Sequence, residues 1–228
     1  MIHNTWGIVV ACGKSEQISA SADVGFLNLG KHPVLYNSLE VFERCSEIDS
    51  VMVLAARERL ESIASMVRLF GCSKVRKLVA GASQRFATLA AGFKALDEEA
   101  TLVCIHEVSR PCVQPDLVAE TVKAAKRYGS GVAAVRMEEA FMETQKGQKA
   151  SKVLTGGRYW QIQTPQAYKR DVLEKALKAA QKKKGIDDEA SAVCAHAGEV
   201  HLVSSTTGNI KVRSLHELSL AAGLLKIQ

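Results

Sequence analysis

A continuous apolar run at residues 8–12, Ile-Val-Val-Ala-Cys, is followed directly by Gly13. The run is rich in β-branched residues, which predicts a strand buried on both faces, typical of a parallel sheet between layers of helices. The polar segment after Gly13 is predicted to be a loop, and Pro33 begins a helical pattern. This order of strand, glycine turn, loop and helix is how α/β proteins present backbone amides to a nucleotide phosphate. A βα unit whose loop binds no ligand would show the same pattern.

The remaining sequence alternates predicted strands and helices, which favours a doubly wound α/β sheet. Further strands are predicted at residues 50–56, 75–79, 101–105, 131–137, 200–204 and 210–212. Helices are predicted at residues 57–70, 85–96, 116–128, 170–182, 187–197 and 215–227. Residues 106–111 are predicted to form a loop, and Asp116 is predicted to cap the helix that follows it.

Residues 138–157 interrupt the alternation, because they are polar and lack a helical period. A linker to a second domain would have this composition. An extended hairpin is favoured, because the α/β pattern resumes at Trp160 and Pro165. We therefore expect one domain over residues 1–228, with residues 138–157 forming a protruding β-arm.

Composition excludes several classes of protein. Of the 228 residues, 47% are hydrophobic, so a sizeable core is available and global disorder is excluded. No apolar run approaches the roughly 20 residues that span a bilayer, and no secretory signal pattern is found. The six cysteines show no C-x-x-C and no Cys/His ligand spacing, which argues against a zinc site and favours a reducing, cytoplasmic location.

The net charge of +6 is basic, and its densest cluster lies at residues 178–184 on a predicted helix. No aromatic residues are interleaved with these lysines, so we expect a solvated helix face and no nucleic-acid partner. A basic protein is also suited to handling anionic phosphates.

Seven segments occur in a recognisable order: IVVACGK, GKHPVLYNSLEVFE, GASQRFATLAAGFKAL, IHEVSRPC, QTPQAYKRDVL, DDEASAV and NIKV. Together they resemble the 2-C-methyl-D-erythritol 4-phosphate cytidylyltransferase family over essentially the whole chain. The ribitol 5-phosphate cytidylyltransferases share most of these motifs, so both acceptors stay open. The resemblance implies a Rossmann-like nucleotidyltransferase with a mixed, mostly parallel sheet and an arm that forms a homodimer. It also implies that a sugar-alcohol phosphate attacks the α-phosphorus of CTP and that pyrophosphate leaves with Mg²⁺.

The resemblance assigns roles to individual residues. Glu107 stands where the family has a metal-binding aspartate, and Lys211 matches a lysine that helps to hold the triphosphate. Arg110 and Thr164 match residues that bind the substrate. The positions that match nucleotide-binding segments are Ala11, Cys12, Gly13, Gly81, Ala82, Arg85 and Thr88.

The phosphate loop departs from the family pattern, which reads Ala-Ala-Gly-x-Gly-x-Arg-Met and then Pro-Lys-Gln. Here the second glycine is Ser15, the arginine is Gln17 and the lysine position falls on Val24. Two cations expected at the α-phosphate are therefore replaced. Lys14 is predicted to serve with Lys211 as a catalytic cation, although a solvated loop lysine is the alternative. A second hypothesis is a relative that binds nucleotide or a partner without turnover.

Two further interpretations concern other classes of chemistry. His106 lies next to Glu107 and could be read as a general base. A phosphate nucleophile is already anionic near pH 7, so a hydrogen-bonded structural histidine is expected. A dinucleotide-dependent oxidoreductase is disfavoured, because the first βα turn lacks G-x-G-x-x-G.

Overall fold

The computed structural model describes residues 4–13, 16–19, 22–82, 84–180, 186 and 188–226. Its strands are β1 Thr5–Ala11, β2 Gln17–Ser19, β3 Ala22–Asp23, β4 Asn28–Leu29, β5 His32–Pro33, β6 Ser50–Ala55, β7 Val75–Ala80, β8 Leu102–Glu107, β9 Ser130–Arg136, β10 Phe141–Lys146, β11 Lys149–Leu154, β12 Trp160–Lys169 and β13 Leu202–Ser204. Its α-helices are α1 Val34–Arg44, α2 Leu60–Phe70, α3 Arg85–Ala95, α4 Pro115–Tyr128, α5 Arg170–Ala180, α6 Glu189–Ala197 and α7 Leu215–Leu224. Short 3₁₀ turns lie at Val24–Phe26 and Arg57–Arg59.

Seven strands form the central sheet, in the order β13-β9-β12-β8-β1-β6-β7. Strand β1 pairs in parallel with β6 and with β8, and the pairs β6–β7 and β13–β9 are also parallel. Strand β12 is antiparallel to both of its neighbours, β8 and β9. The predicted mixed, mostly parallel α/β sheet is confirmed.

The sheet separates two apolar layers, and β1 contributes to both of them. Its residues Val9 and Ala11 pack into one cluster, while Ile8 and Val10 pack into the other. Successive side chains of a strand point to opposite faces, so a run that is apolar at every position needs helices on both sides. Helices α1, α2, α4 and α7 supply buried residues to the first cluster, and α3, α5 and α6 supply them to the second. Burial of each large aliphatic side chain contributes about 1.5–3 kcal/mol.

The strand order brings two loops to the same edge of the sheet. Strands β1 and β8 run in parallel, with Val10 opposite Glu107. The loop after Ala11 and the turn after Glu107 therefore start side by side at the carboxyl ends of neighbouring strands. Strand β12 runs back beside β8, with Gln166 opposite Ile105, and brings its own first half to this edge.

Strand β8 extends further than predicted. His106 and Glu107 pair with Val9 and Val10 of β1, so they are strand residues and not part of a loop. The prediction was wrong here because a polar pair at the end of an apolar run resembles a loop in the sequence. Both residues are part of the sheet because they pair with the buried strand β1.

Two local predictions near the site were also wrong. Residues 210–212 form no strand in the described part of the chain, and the Val212 N–H donates at 2.7 Å to the backbone oxygen of Ser109, which lies in the turn after β8. Asp116 lies in the first turn of α4, and Gln114 occupies the cap position. Pro115 takes the first helical position, where its missing N–H is no loss.

The interrupted segment forms a hairpin. Strands β10 and β11 pair with each other in a separate antiparallel sheet, with Met142 opposite Val153. The arm joins the ends of β9 and β12, so the alternative of a linker between domains is not needed. In the described part of the chain, no helix combines the length and apolar character that crossing a bilayer requires.

Candidate active site

A cavity of about 390 Å³ opens at the carboxyl edge where β1, β8 and β12 meet. Its lining comes from the loop after β1, the start of α3, the end of β8, the first half of β12 and the segment after β13. The lining residues are Val10, Cys12, Gly13, Arg85, Glu107, Arg110, Ile162, Gln163, Thr164, Gln166, Asp188, Lys211 and Arg213. Seven residues of the predicted site, drawn from five different segments of the sequence, therefore line one cavity.

Glu107 is at the centre of this site. Its Oε1 accepts hydrogen bonds from Arg85 Nη1 at 2.7 Å and from Lys211 Nζ at 2.8 Å. Its Oε2 lies 3.4 Å from Arg110 Nε. Burial alone would raise the pKa of Glu107, but the charges of Arg85 and Lys211 outweigh burial and lower that pKa to about 2. The carboxylate is therefore ionised at every physiological pH.

Arg85 joins Glu107 to a carboxylate on a distant helix. Its Nε and Nη2 donate to Oε1 and Oε2 of Glu189, both at 2.8 Å. Glu189 is the first residue of α6 and is 0% exposed. Burial would lower the pKa of Arg85, but the adjacent Glu189 carboxylate reverses this and raises it. The sequence analysis did not place Glu189 in the site, although its motif DDEASAV was among those that carry the resemblance.

Lys211 lies between two carboxylates. Its Nζ is 2.8 Å from Glu107 Oε1 and 3.5 Å from Glu16 Oε1. Glu16 was not predicted as a site residue, because a single acid in a polar loop carries no local signal. Burial, and then the nearby charge of Glu107, raise the pKa of the Glu16 carboxyl.

These five residues form an alternating series of charges, Glu16, Lys211, Glu107, Arg85 and Glu189, which we call the charged row. Arg110 approaches Glu107 from the side, so the six side chains carry three positive and three negative charges. Within this group the charges balance one another.

A second set of bonds fixes the backbone around Glu107. The Thr164 hydroxyl accepts from the N–H of Glu107 at 3.1 Å and lies 3.2 Å from His106 Nδ1. Arg110 Nη1 donates to the backbone carbonyl oxygen of Asn209, and Asn209 Nδ2 donates to the backbone carbonyl oxygen of Thr164, both at 2.9 Å. Thr164 lines the cavity as predicted, but its hydroxyl is already bonded within the protein.

His106 has the structural role that was expected of it. It is fully buried next to Thr164, and burial, reinforced by the charge of Arg110, lowers its pKa to about 3. At physiological pH the imidazole is therefore neutral, with a single ring N–H, and it holds its neighbours by contact.

The nucleotide-binding residues predicted from the sequence lie together beside the charged row. The Thr88 hydroxyl accepts from the Ala82 N–H at 2.9 Å and donates to the Ala82 oxygen at 2.8 Å, which closes the turn before α3. Cys12 Sγ lies 4.0 Å from Thr88 Oγ1. A Cβ added at Gly81 would come within 2.3 Å of Cys12 Sγ, so the contact between the two loops requires glycine. Burial raises the pKa of the Cys12 thiol, which keeps it neutral.

The loop after β1 turns sharply at its start. Ala11 is the last residue of β1, and Gly13 has a φ of +103°, a conformation that favours glycine. The Glu16 N–H donates to the Gly13 oxygen at 3.0 Å and closes the turn.

The replaced positions of this loop do not contribute cations. Gln17 Nε2 donates to Asp23 Oδ1 at 3.2 Å, and Val24 is buried in the apolar core. Lys14 lies outside the described residues, so its predicted catalytic role stays a prediction. Arg213, which was not predicted, lines the cavity two residues after Lys211.

Among the described residues of the site, Glu107 has a carboxylate oxygen suited to Mg²⁺. Glu107 lines the cavity, and its Oε2 has its bonded cation, Arg110, at the longer distance of 3.4 Å. Mg²⁺ favours hard oxygen donors and is usually held by one or two carboxylates together with substrate phosphates. Among the described residues, no cluster of three or more His, Cys, Asp or Glu side chains could hold an ion without a substrate. The donor set therefore fits an ion that binds together with a phosphate.

Comparison with known families identifies the chain. A model of the 2-C-methyl-D-erythritol 4-phosphate cytidylyltransferase family matches residues 6–226. The chain belongs to this family. A cytidylyltransferase of this name from Alkaliphilus metalliredigens is 30% identical over 221 residues, covering 96% of this chain and 91% of the relative. One from Dehalococcoides mccartyi strain CBDB1 is also 30% identical, covering 96% of this chain and 95% of the relative. The resemblance found in the sequence is confirmed.

Solved structures share the cytidylyltransferase fold. The 4-diphosphocytidyl-2C-methyl-D-erythritol synthase of Anaerococcus prevotii has a TM-score of 0.83 at 20% identity, covering 98% of this chain and 96% of that one. The cytidylyltransferase of Thermus thermophilus has a TM-score of 0.75 at 24% identity, covering 96% and 98%. At these identities the likeness concerns the fold, and it agrees with the predicted nucleotidyltransferase architecture.

Proposed function

We propose that this protein transfers CMP from CTP to 2-C-methyl-D-erythritol 4-phosphate and releases pyrophosphate, a step in the synthesis of isoprenoid precursors. The observation that carries the proposal is the charged row in a chain of this family: its residues Arg85, Glu107 and Lys211 line the cavity next to the predicted phosphate loop. The alternative of a relative without turnover is less well supported. Arg85, Arg110 and Lys211 match the family pattern, Glu107 keeps a carboxylate where that pattern has an aspartate, and all four line one cavity.

The reaction joins two phosphates. An oxygen of the acceptor phosphate attacks the α-phosphorus of CTP, a new P–O bond forms, and the bond between the α- and β-phosphates breaks. The acceptor phosphate is anionic near neutral pH, so no general base is needed, in agreement with a neutral His106. Catalysis then depends on positioning and on stabilising the charge that develops on the phosphate oxygens.

The protein supplies that stabilisation from two sides. The backbone around Gly13 faces the cavity from the end of β1, and Lys211 and Arg85 face it from the charged row. Both cations are paired with Glu107, which holds them in place and lowers the cost of ordering them. A triphosphate in the cavity competes with Glu107 for Lys211.

Mg²⁺ belongs to this proposal. Glu107 is the residue that would hold it, through the oxygen with the longer distance to a cation. When bound, Mg²⁺ supplies positive charge to the triphosphate and to the leaving pyrophosphate.

We also propose a homodimer formed through residues 138–157, in the cytoplasm. The arm carries large apolar side chains into solvent, with Met142 64% and Val153 55% exposed. Apolar side chains grouped on a protruding hairpin are typical of a contact surface. The six cysteines are unpaired, which fits a reducing compartment. Sedimentation at micromolar concentration tests the dimer, and a monomer there would contradict it.

The test of the function is pyrophosphate release from CTP with Mg²⁺, with methylerythritol phosphate and ribitol phosphate offered separately. Turnover with methylerythritol phosphate is the expected result. Turnover with ribitol phosphate alone would overturn the proposed acceptor. If neither acceptor gives turnover, titration calorimetry with CTP on the same sample shows whether the nucleotide still binds. Binding without turnover would favour the non-catalytic alternative.

A further inference from the structure

Glu16 carries a charge that the proposed reaction does not require. It is 1% exposed, and it lies in the predicted phosphate loop beside the cavity. A carboxylate there loses its hydration and repels the phosphates of a nucleotide. A buried charge that opposes ligand binding needs a compensating role, and its contacts indicate one.

The Glu16 carboxylate touches two parts of the site. Its Oε2 accepts from the backbone N–H of Ser109 at 3.0 Å, and its Oε1 lies 3.5 Å from Lys211 Nζ. Ser109 belongs to the turn that follows Glu107. Glu16 thus connects the phosphate loop both to the turn after the predicted metal ligand and to the lysine that pairs with that ligand.

The two contacts differ in what they require of residue 16. The bond from Ser109 needs only an acceptor oxygen, which the neutral amide of glutamine would supply equally well. The contact with Lys211 depends on charge. Glu107 Oε1, at 2.8 Å, attracts the same ammonium. Glu16 therefore supplies the attraction that draws Lys211 toward the phosphate loop.

We propose that Glu16 is a positioning residue whose negative charge keeps the ammonium of Lys211 on the phosphate-loop side of Glu107. This rests on the proposed function, in which Lys211 stabilises the reacting phosphates. When the triphosphate takes Lys211 from Glu107, the ammonium stays anchored next to the loop. The position of Lys211 is especially important in this chain, because Gln17 and Val24 stand where the family pattern has cations.

Glu16→Gln tests the charge and keeps the acceptor for Ser109. We expect kcat to fall roughly 10-fold to 100-fold, as for other residues that support a site residue, with KM for CTP unchanged or lower. Asp23→Asn is the matched control, because it removes a carboxylate of the same segment that pairs with Arg59 and not with Lys211. An unchanged kcat in Glu16→Gln, or an equal loss in Asp23→Asn, would overturn the proposal.

A double-variant cycle asks whether Glu16 acts through Lys211. In a Lys211→Met background, Glu16→Gln should cause no further loss of kcat. An undiminished loss there would mean that Glu16 acts by another route. Glu16→Asp provides a second variant if Glu16→Gln does not fold. It keeps the charge and should retain more activity than Lys211→Met, and equal losses in the two would overturn the proposal.

A readout without turnover separates this inference from the proposed function. Lysine-labelled protein is examined for the ¹H–¹⁵N signal of the Lys211 ammonium, identified by its loss in Lys211→Arg. The signal should be observable in the parent protein and broadened in Glu16→Gln, because an ammonium with one carboxylate fewer exchanges its protons faster. An identical signal in both would overturn the positioning role. A parent protein with this signal but no turnover would instead count against the proposed function alone.

Discussion

Arg85 and Glu189 face each other through two parallel N–H···O bonds of 2.8 Å, although 104 residues separate them in the sequence. The pair fastens the first residue of α6 to the first residue of α3. Nη1 of the same guanidinium donates to Glu107. The orientation of the Glu107 carboxylate therefore depends on α6, through Arg85.

This buried pair predicts a large stability effect. Glu189→Ala leaves the guanidinium of Arg85 with one partner fewer in a buried site, so the free energy of unfolding should fall by about 3–5 kcal/mol. Glu120→Ala, which removes the exposed partner of Lys123, should cost at most about 1 kcal/mol. Urea denaturation of the two variants checks this, and equal losses would contradict the prediction.

Lys211 should matter far more to turnover than to nucleotide binding. Lys211→Met removes a donor to the developing phosphate charge, and kcat should fall by about 10²–10³. Lys123→Met, on the exposed face of α4, is the control and should leave kcat unchanged. Steady-state assays with CTP and the acceptor measure both. A fall of less than roughly tenfold in Lys211→Met would mean that another cation carries the role.

His106 should make the protein less stable in mild acid. The folded protein holds the pKa of His106 at about 3, whereas its ordinary value is 6.5. Below pH 6.5 the unfolded chain binds a proton here that the folded protein excludes, so stability is lost as pH falls toward 3. The slope is about 1.4 kcal/mol per pH unit. His106→Asn should show a shallower decline between pH 7 and pH 4.5 in urea denaturation, whereas an equal slope would contradict the assignment.

Gly81 should be intolerant of a side chain because of Cys12. The added Cβ of Gly81→Ala would lie 2.3 Å from Cys12 Sγ, so the loop must shift, at a cost of about 1–3 kcal/mol. We expect weaker binding of CTP in calorimetry and a lower melting temperature. Cys12→Ala removes the sulfur, and the double variant should recover part of both losses. No recovery would show that the strain arises elsewhere, for example at Thr88.

The fold should tolerate the family's cation at residue 17 but not at residue 24. Gln17 is exposed, so Gln17→Arg should leave stability within about 0.5 kcal/mol of the parent. Val24 is 0% exposed in the apolar core, so Val24→Lys would bury an ammonium without a partner and should destabilise strongly. Thermal denaturation of the two variants tests the contrast. Equal melting temperatures would mean that the loop rearranges to expose residue 24.

The sequence was sufficient for the strands that are apolar runs and for the residues that belong to motifs. Strand β12 was not among the predicted strands, because Gln161, Gln163 and Pro165 interrupt its apolar residues. The apolar run before Gly13 predicted β1 because every residue of that strand is buried, and a strand with two buried faces leaves an unmistakable pattern. Glu107, Arg85 and Lys211 were identified by resemblance, and the fold brings all three within hydrogen-bond distance.

The remaining site residues could not be predicted, for a physical reason. Glu16 and Glu189 acquire their roles from partners that lie 93 and 104 residues away, and no local period encodes such a contact. Residues 210–212 were predicted as a short strand, but a strand also needs a strand as its partner. In the described part of the chain, the backbone N–H of Val212 bonds to the turn after β8 instead.

The base of the arm is closed by the backbone itself. Met137 donates to the Tyr159 oxygen at 2.9 Å, Gly157 donates to the Met137 oxygen at 3.0 Å, and the ladder between β9 and β12 continues from there. The central sheet is thus complete without any residue of β10 or β11. Mutation can therefore lengthen, shorten or recompose the hairpin, and with it the proposed dimer contact, while the central sheet keeps its shape. The proposed dimer contact and the fold that holds the site can thus change at separate rates in a single polypeptide.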